Sequence, residues 1–137
     1  MTDNTYSEEV IQFGNNNGLI GIITKPNHIN PLKPVALILN SGSLHRAGAC
    51  RNSVYLARAL ATAGFIAFRF DYYGIGDSGF GGSIENDILS GKQEIFDAMD
   101  ELEQRLGSLK FAVHGLCSGA RDAFASALHD ERIIALS

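Results

Sequence analysis

The chain has 137 residues, 45% of them hydrophobic, and a formal net charge of −4 at pH 7. This length and apolar content predict one globular domain with a substantial core, spanning residues 1–137. The charged residues are scattered and form no concentrated basic patch, so nucleic acid is excluded as an expected partner.

The first predicted element is a β-hairpin. Glu9 to Phe13 and Leu19 to Thr24 are rich in β-branched and aromatic residues, and the turn-forming cluster Gly14 to Gly18 separates them. A segment with three prolines, from Lys25 to Pro34, leads into a continuous apolar run from Val35 to Leu39. An apolar run of this length is typical of a parallel strand that is buried on both faces.

Helices and strands then alternate. Recurring leucine and alanine residues predict a helix from Ser53 to Ala63 that ends at Gly64, and Phe65 to Phe70 follows as a second core strand. A second helix is predicted from about Asp87 to Leu106, because apolar residues recur there at helical spacing. Its apolar stripe consists of Ile88, Ile95, Met99, Leu102 and Leu106.

The third unit repeats this order. A strand is predicted from Leu109 to His114, a helix from Ser118 to Leu128, and a fourth apolar run from Ile133 to Leu136. The buried face of this helix is expected to contain Ala120, Ala123, Phe124 and Ala127. The alternation indicates an α/β fold, with a mostly parallel sheet covered by helices on both faces and connected by right-handed crossovers.

The fourth apolar run stops at Ser137, without the covering helix that follows the earlier strands. A core strand in this position would leave an unpaired sheet edge and a bare apolar face. We therefore expect a domain truncated after this strand, or a partner such as a second copy of the chain that covers the open edge.

The segment Gly115-Leu116-Cys117-Ser118-Gly119 carries the predicted chemistry. In a tight turn from strand to helix the central residue has a strained backbone, and residues two positions away must be glycine to avoid a collision. The helix start favours a thiolate at Cys117, the reactive form. The alternative is a small buried cysteine packed between glycines. A different register makes Ser118 the nucleophile but puts Leu116 where the turn needs a small residue.

Three segments together resemble the α/β-hydrolase superfamily: Asn40 to Ser43, Phe70 to Ser78, and Gly115 to Gly119, each after a core strand. The likeness covers nearly the whole chain. It is greatest to serine-aminopeptidase-like hydrolases, in particular those associated with exosortase systems, whose elbow is similarly Gly-Leu-Cys-Ser-Gly. Dienelactone hydrolases are more distant relatives that also use cysteine. The chain is thereby identified as the N-terminal part of an α/β-hydrolase domain.

The resemblance implies covalent catalysis on a small-molecule ester or thioester, with Cys117 as the nucleophile of a hydrolase or acyltransferase. It also implies an oxyanion hole built from the backbone N–H groups of Ser118 and Ser43. Family members usually have a His-Gly pair where this chain has Ser41-Gly42. Because of this difference, the residues directly before and directly after Ser43 are alternatives for the loop donor.

The resemblance also leaves the catalytic triad incomplete. In this superfamily the acid and the histidine follow the nucleophile in the sequence, and 20 residues follow Cys117. We expect activity in an intact parent protein and none in this chain alone. The alternatives are a binding or scaffold module that has lost catalysis, and a fragment with no function of its own.

The glycines from Gly74 to Gly79 match the pattern of dinucleotide-binding loops. That pattern requires a strand that leads directly into a helix, and no helix is predicted directly after these glycines. A structural turn, braced by hydrogen bonds of Asp77, is therefore expected.

None of the four histidines occupies the family position of the general base. His28 and His129 are expected at the surface, and His114 in a structural role at a strand end. His45 lies in the loop on the oxyanion side, where it is expected either to contact substrate or to form a polar rim.

The sequence carries no recognisable targeting or membrane signal. The start of the chain lacks a basic segment followed by an apolar one, and no apolar run reaches the ~18 residues of a membrane span. A cytoplasmic location without a membrane span is the expectation. Cys50 and Cys117 match no metal-ligand spacing and are predicted to be free thiols. The resemblance implies no metal or organic cofactor, because a nucleophile, oxyanion donors and a base suffice for the reaction.

Overall fold

The computed structural model describes residues 5–81 and 91–137. Among these residues, one sheet contains six strands in the order β1-β2-β4-β3-β5-β6. The strands are β1 Tyr6–Phe13, β2 Leu19–Pro26, β3 Val35–Ile38, β4 Ala67–Asp71, β5 Phe111–His114 and β6 Ile133–Leu136. The helices are α1 Asn52–Thr62, α2 Gln93–Leu106 and α3 Ser118–Ala127.

The sheet is mixed but mostly parallel, as the sequence predicts. β1 and β2 form the expected antiparallel hairpin, and β2 pairs with β4 in the same sense. The pairs β3 with β4, β3 with β5 and β5 with β6 are parallel. Gly21 of β2 lies opposite Phe70, and a side chain there would collide with the Phe68 ring. The hairpin therefore needs glycine at this position to lie against β4.

The larger part of the core lies between the sheet and helices α2 and α3. Three buried rings stand at its centre, with the Phe13 centroid 5.5 Å from that of Phe68 and 5.7 Å from that of Phe70. Helix α2 contributes Ile95, Met99 and Leu102, all fully buried. These residues belong to the predicted apolar stripe, while Ile88 lies outside the described residues.

Helix α2 begins at Gln93 rather than at the predicted Asp87, which lies outside the described residues. The two residues before Gln93 are not helical. Gly91 has a φ of +76°, and a side chain there would press against Ser126 and Phe96 at about 3.0 Å. Close packing against α3 therefore takes precedence over helix continuation at this point.

Helix α1 covers the opposite face of the sheet. Its contact with the strands is made by small residues, since Ala57 packs against Ala36 and Ala67, and Leu56 and Leu60 flank the contact. Small residues allow the helix to lie close to the sheet. The two separate core clusters confirm that helices cover both faces.

The predicted buried face of α3 is wrong at two positions. Phe124 is 57% exposed and Ala120 is also exposed. The face that packs inward instead consists of Gly119, Asp122, Ala123, Ala125 and Ser126. The helix begins directly at the turn after β5, where Gly119 lies against the carbonyl oxygen of Asn40, so this contact fixes which side of the helix faces the sheet.

Strand β6 pairs with β5, and in the described part of the chain no strand lies on its other side. Ile134 is 59% exposed and Leu136 is 45% exposed. The expected open edge is therefore present in this structure. None of the described helices is both long and apolar enough to cross a membrane.

The carboxyl ends of β3, β4 and β5 meet at one edge of the sheet, because the three strands are parallel neighbours. The loop after β3, the glycine-rich loop after β4 and the turn between β5 and α3 therefore lie together. Ligands of open α/β sheets bind outside this edge. The predicted site residues all belong to these connections.

Candidate active site

Cys117 lies between the end of β5 and the first residue of α3, with φ 58° and ψ −118°. A positive φ is uncommon for a residue other than glycine and marks a strained turn. The side chain of Cys117 is exposed. Its exposure contradicts the alternative of a small buried cysteine that packs between glycines.

The glycines on either side of Cys117 have no room for a side chain. A Cβ atom on Gly115 would collide with the backbone of Gly119. A Cβ atom on Gly119 would lie 2.6 Å from the carbonyl oxygen of Asn40, at the end of the neighbouring strand. Since a backbone cannot yield as a flexible side chain does, both positions require glycine, as the motif predicts.

The loop after β3 reaches the turn through one hydrogen bond. The backbone N–H of Gly42 donates to Ser118 Oγ over 2.7 Å. Ser43, the predicted loop donor of the oxyanion hole, is the next residue and is exposed. In the described part of the chain, the N–H groups of Ser43 and Ser118 donate to no protein acceptor. Ser118 begins α3, where N–H groups lack partners within the helix.

Asp71, the last residue of β4, joins the loop after β3 to the loop after β4. Its carboxylate is fully buried and accepts hydrogen bonds from the N–H of Arg46 at 2.6 Å and from the N–H of Asp77 at 3.2 Å. The Arg46 guanidinium donates to it as well. Asn40 Nδ2 donates to it at 3.2 Å, while the N–H of Tyr72 donates to Asn40 Oδ1. Both loops are thereby fixed relative to the sheet edge.

Arg46 also holds Asp77, whose Oδ2 lies 2.8 Å from Arg46 Nη1 and 3.2 Å from His45 Nε2. These hydrogen bonds, first from Arg46 and then from His45, lower the pKa of Asp77. The N–H of Ala47 lies 3.1 Å from His45 Nδ1. The two ring nitrogens of His45 therefore have partners in the loop after β4 and in the loop after β3, which favours the polar-rim role over contact with substrate.

The side chains of His45, Asp71 and Asp77 place three potential metal-binding atoms within 4.8 Å of one another. Arg46 already contributes a positive charge to this cluster, because its guanidinium donates to both carboxylates. A cation beside two carboxylates offsets their mutual repulsion. The cluster is thus a salt-bridge network between two loops.

The glycine-rich loop after β4 is a turn and not a dinucleotide-binding loop. The described residues that follow Gly79, up to Gly81, are not helical. Gly76 has a φ of +55°, and a side chain there would collide with the Asp71 carboxylate. Ser78 Oγ donates to the backbone carbonyl of Asp71 at 2.7 Å. These contacts and those of Asp77 agree with the predicted structural turn.

The remaining histidines lie where the sequence predicts. His28 and His129 are exposed. His114, at the end of β5, has its Nδ1 atom 3.1 Å from Ser137 Oγ, next to β6. This contact between neighbouring strand ends fits a structural role.

A cleft lies between the loop after β3 and the turn that bears Cys117. Its apolar walls include Leu39, Leu44 and Leu116, and its polar walls include Ser41 and His114. The exposed thiol follows Leu116 directly in the sequence.

Two parts of the site were missed by reasoning from the sequence. The hydrogen bond between Gly42 and Ser118 joins residues 76 positions apart, and the network around Asp71 depends on Arg46, 25 positions away. Asp71 belongs to the segment from Phe70 to Ser78 that carries the family resemblance. The place of Asp71 in that segment was the signal available in the sequence, but it did not identify Arg46 as the partner of Asp71.

Neither protein-family models nor curated proteins gave a match to the chain. Solved structures of α/β-hydrolases match it closely in fold. A cold-adapted esterase from an Arctic intertidal metagenomic library has a TM-score of 0.71 at 16% identity, over 99% of this chain and 61% of its own. An α/β-hydrolase from Penicillium sp. sh18 has a TM-score of 0.70 at 21% identity, over 95% of this chain and 44% of its own.

A further match is an α/β serine hydrolase homologue from Coxiella burnetii, with a TM-score of 0.61 and 27% identity. The alignment covers 95% of this chain and 60% of that protein. This chain thus spans between about two fifths and three fifths of the length of these solved structures. The six-stranded sheet and its helices correspond to that part of their fold.

Proposed function

From the α/β-hydrolase fold that the chain shares with these structures, we propose that it carries the nucleophile and the oxyanion hole of an acyl-transferring enzyme. The enzyme cleaves an ester or thioester and passes the acyl group to water or to another acceptor. Cys117 is the nucleophile. The observation that carries this proposal is the exposed thiol at φ 58°, between two glycines that have no room for a side chain.

The first step is attack by the Cys117 thiolate on the carbonyl carbon of the substrate. A sulfur–carbon bond forms, and the electron pair of the carbonyl double bond moves to oxygen. When this tetrahedral intermediate collapses, the bond to the alcohol or thiol leaving group breaks and that group departs with the bonding pair. Water or another acceptor then attacks the acyl-cysteine, and collapse of this second tetrahedral intermediate breaks the sulfur–carbon bond and releases the thiolate and the acyl product. The proton that the acceptor loses balances the proton that the leaving group takes up.

The negative charge on the carbonyl oxygen needs donors that are already in place. Ser118 supplies the N–H of the residue after the nucleophile, at the start of α3. Ser43 supplies the second N–H from the loop after β3, since the neighbouring N–H groups of Gly42 and Leu44 already donate to Ser118 Oγ and to the Ser41 carbonyl. The support for this pair is that both N–H groups are unpaired within the described residues and that Gly42 joins their two segments.

The names of the similar proteins support ester chemistry, since they include an esterase and a serine hydrolase homologue. The chain differs in having a thiol at the elbow. A histidine and an acid complete such sites in the superfamily, and we assign both to the whole protein and not to His45 or His114, which are bonded to other residues.

The test uses p-nitrophenyl acetate and an aryl thioacetate as acyl donors. Their leaving groups are stable anions, so a thiolate can be acylated without a general acid. Peptide mapping by mass spectrometry should find acetyl on Cys117 at a rate at least about tenfold above that of Cys50, because an oxyanion hole accelerates acylation. Cys50 is the internal control, since it is also an exposed free thiol.

The variant Cys117→Ala should lose the label at position 117, and its release of product should fall to the slow rate that acetylation of Cys50 accounts for. Equal acetylation of the two cysteines in the unchanged chain, or product release in Cys117→Ala at the rate of the unchanged chain, would contradict the proposed role of Cys117.

A second candidate function is a non-catalytic binding module in which another copy of the chain covers the edge of β6. The exposed Ile134 and Leu136 on that strand favour it. Sedimentation of the purified chain distinguishes this function, because it requires a stable dimer that the variant Ile134→Lys disrupts. A monomeric chain would exclude it.

A further inference from the structure

The side chain of Ser118 makes a contact that the proposed reaction does not itself use. Its Oγ atom accepts the hydrogen bond from the backbone N–H of Gly42 at 2.7 Å. The two residues belong to the two segments whose N–H groups form the proposed oxyanion hole. The bond therefore joins one wall of the hole to the other.

The loop at Gly42 has little else to hold it in place. Gly42 and Ser43 are exposed, and a Cβ atom built on Gly42 would meet nothing within 4 Å. One short turn is present, in which the N–H of Leu44 donates to the carbonyl of Ser41 at 3.1 Å. Asn40 and Asp71 fix the loop further along, at Leu44 and Arg46. The tip between these anchors is attached to the elbow through Ser118.

On the basis of the proposed function, we propose that Ser118 is a positioning residue. Its hydroxyl holds the loop amide of the oxyanion hole, the N–H of Ser43, beside the N–H of Ser118 itself. Oxyanion donors stabilise the transition state only when they are already aimed at the developing charge. A displacement of about 1 Å in such a group costs up to about 10²-fold in rate. A hydrogen bond at the adjacent residue restricts the loop in this way.

This role separates the side chain of Ser118 from its backbone. Any residue other than proline supplies a backbone N–H after the nucleophile, whereas the bond from Gly42 needs a side-chain acceptor, which here is the Ser118 hydroxyl. It also assigns the Ser118 oxygen to the loop and not to attack on the substrate. The inference therefore predicts that acyl label appears on Cys117 and none appears on Ser118.

Two reagents separate the oxyanion hole from the intrinsic reactivity of the thiol. Acetylation by p-nitrophenyl acetate passes through a tetrahedral oxyanion before p-nitrophenolate leaves. Alkylation by iodoacetamide forms the sulfur–carbon bond while the carbon–iodine bond breaks and iodide leaves, so no oxyanion forms. The ratio of the two rate constants at Cys117 measures the hole alone. The same ratio at Cys50, exposed on the same molecule, is the internal reference.

The informative variants are Ser118→Thr and Ser118→Val, because threonine and valine have the same shape and differ in the hydroxyl. Ser118→Ala is the smaller deletion. We expect Ser118→Val and Ser118→Ala to lower the ratio of the acetylation rate constant to the alkylation rate constant at Cys117 about tenfold. This is smaller than the ~10²–10³-fold effect of losing one oxyanion donor completely. Thr should keep the ratio within about twofold of the unchanged chain. Ser108→Ala, an exposed serine before β5, is the control and should have no effect.

The outcomes distinguish this inference from the function on which it rests. If Cys117 in the unchanged chain is acetylated no faster than Cys50, the proposed function fails. If Cys117 is acetylated preferentially and Ser118→Val behaves like Ser118→Thr, the proposed function stands and the positioning role of Ser118 is overturned. Equal losses of acetylation and alkylation in Ser118→Val, or acetyl found on Ser118, would also overturn it.

Discussion

Cys117 has a backbone conformation that glycine adopts more easily than any other residue. Its φ of 58° and ψ of −118° lie in a sparsely populated region, where a side chain costs about 1–3 kcal/mol. The hydrogen bonds of the N–H of Gly119 to Leu116 and of the N–H of Ala120 to Cys117 hold the turn in this shape. Strain of this kind persists where the surrounding structure fixes it, and here it accompanies an exposed thiol.

The strain predicts an unusual effect of substitution. Cys117→Gly should be more stable than Cys117→Ala by about 1 kcal/mol, because glycine removes the strain of about 1–3 kcal/mol and adds about 0.5–1 kcal/mol of chain entropy to the unfolded state. Both variants lack the thiol, so alanine is the matched control for its loss. Urea unfolding monitored by circular dichroism measures the difference. A glycine variant that is less stable than the alanine variant would show that the turn is not strained at this residue.

At the scale of elements, the site depends on two loops that leave neighbouring strands. Polar contacts with Asp71 tie the loop after β3 and the loop after β4 to the sheet, and Tyr72, Tyr73 and Ile75 of the second loop also pack in or against the core. A buried carboxylate is stable only when its hydrogen bonds and its charge are satisfied. Arg46 satisfies both requirements, so the loops are held by a few directional bonds.

The variant Asp71→Asn tests this arrangement. It leaves the largely buried Arg46 without its main partner, and we expect a loss of about 3–5 kcal/mol, the usual result of breaking a buried ion pair. Asp77→Asn is the matched control, because Asp77 binds the same guanidinium from an exposed position, and its loss should cost much less than the loss of Asp71. Chemical unfolding of both variants measures the difference. Similar losses in the two variants would contradict a central role for Asp71.

The sequence predicts features that are local to one element better than it predicts contacts between elements. Apolar runs such as Val35 to Leu39 and glycine spacing such as Gly115 to Gly119 are local signals, and the structure has a strand and a strained turn at these places. The buried face of α3 is not a local property, because contact between Gly119 and Asn40 sets the orientation of that helix. Phe124 therefore lies outside although its spacing predicts burial. Polar contacts between Asp71 and Arg46 likewise depend on how separate loops meet.

At the scale of the whole molecule, arginines connect helices to the two outer regions of the sheet. Arg58 of α1 binds Glu8 of β1 at 2.8 Å, and the hydrogen bond from Arg58 lowers the pKa of Glu8. On the opposite side, Arg132 precedes β6 and binds Glu103 of α2 at 2.8 Å and Asp130 at 2.7 Å. The bridges to Glu8 and Glu103 join elements far apart in the sequence, while the bridge to Asp130 is local, and all three make the stability of the molecule depend on pH.

The Arg132 bridge allows the sign of that dependence to be predicted. Hydrogen bonds from Arg132 lower the pKa of Asp130 below its ordinary value of 3.8. The N–H of Leu109, and then Arg132, lower the pKa of Glu103 below 4.5. A carboxylate with a lowered pKa in the folded state stabilises the fold above its unfolded pKa, and this stabilisation disappears as the pH falls through the folded pKa. The free energy of unfolding should therefore decrease below about pH 5.

The variant Arg132→Gln removes the charge that holds both carboxylates. We expect it to lose about 1–3 kcal/mol at pH 7, the range for hydrogen bonds to charged groups, and to show a shallower decrease between about pH 5 and pH 2. The difference in stability between the two proteins should shrink as the pH falls toward 2, because protonation of the carboxylates removes the charge that Arg132 binds. Arg105→Gln is the control, since Arg105 pairs with Glu101 within α2 and is 38% exposed, and it should cost less than about 0.5 kcal/mol. Urea unfolding at a series of pH values gives these quantities, and a loss in Arg132→Gln that is the same at pH 7 and pH 2 would show that Arg132 acts through packing and not through charge.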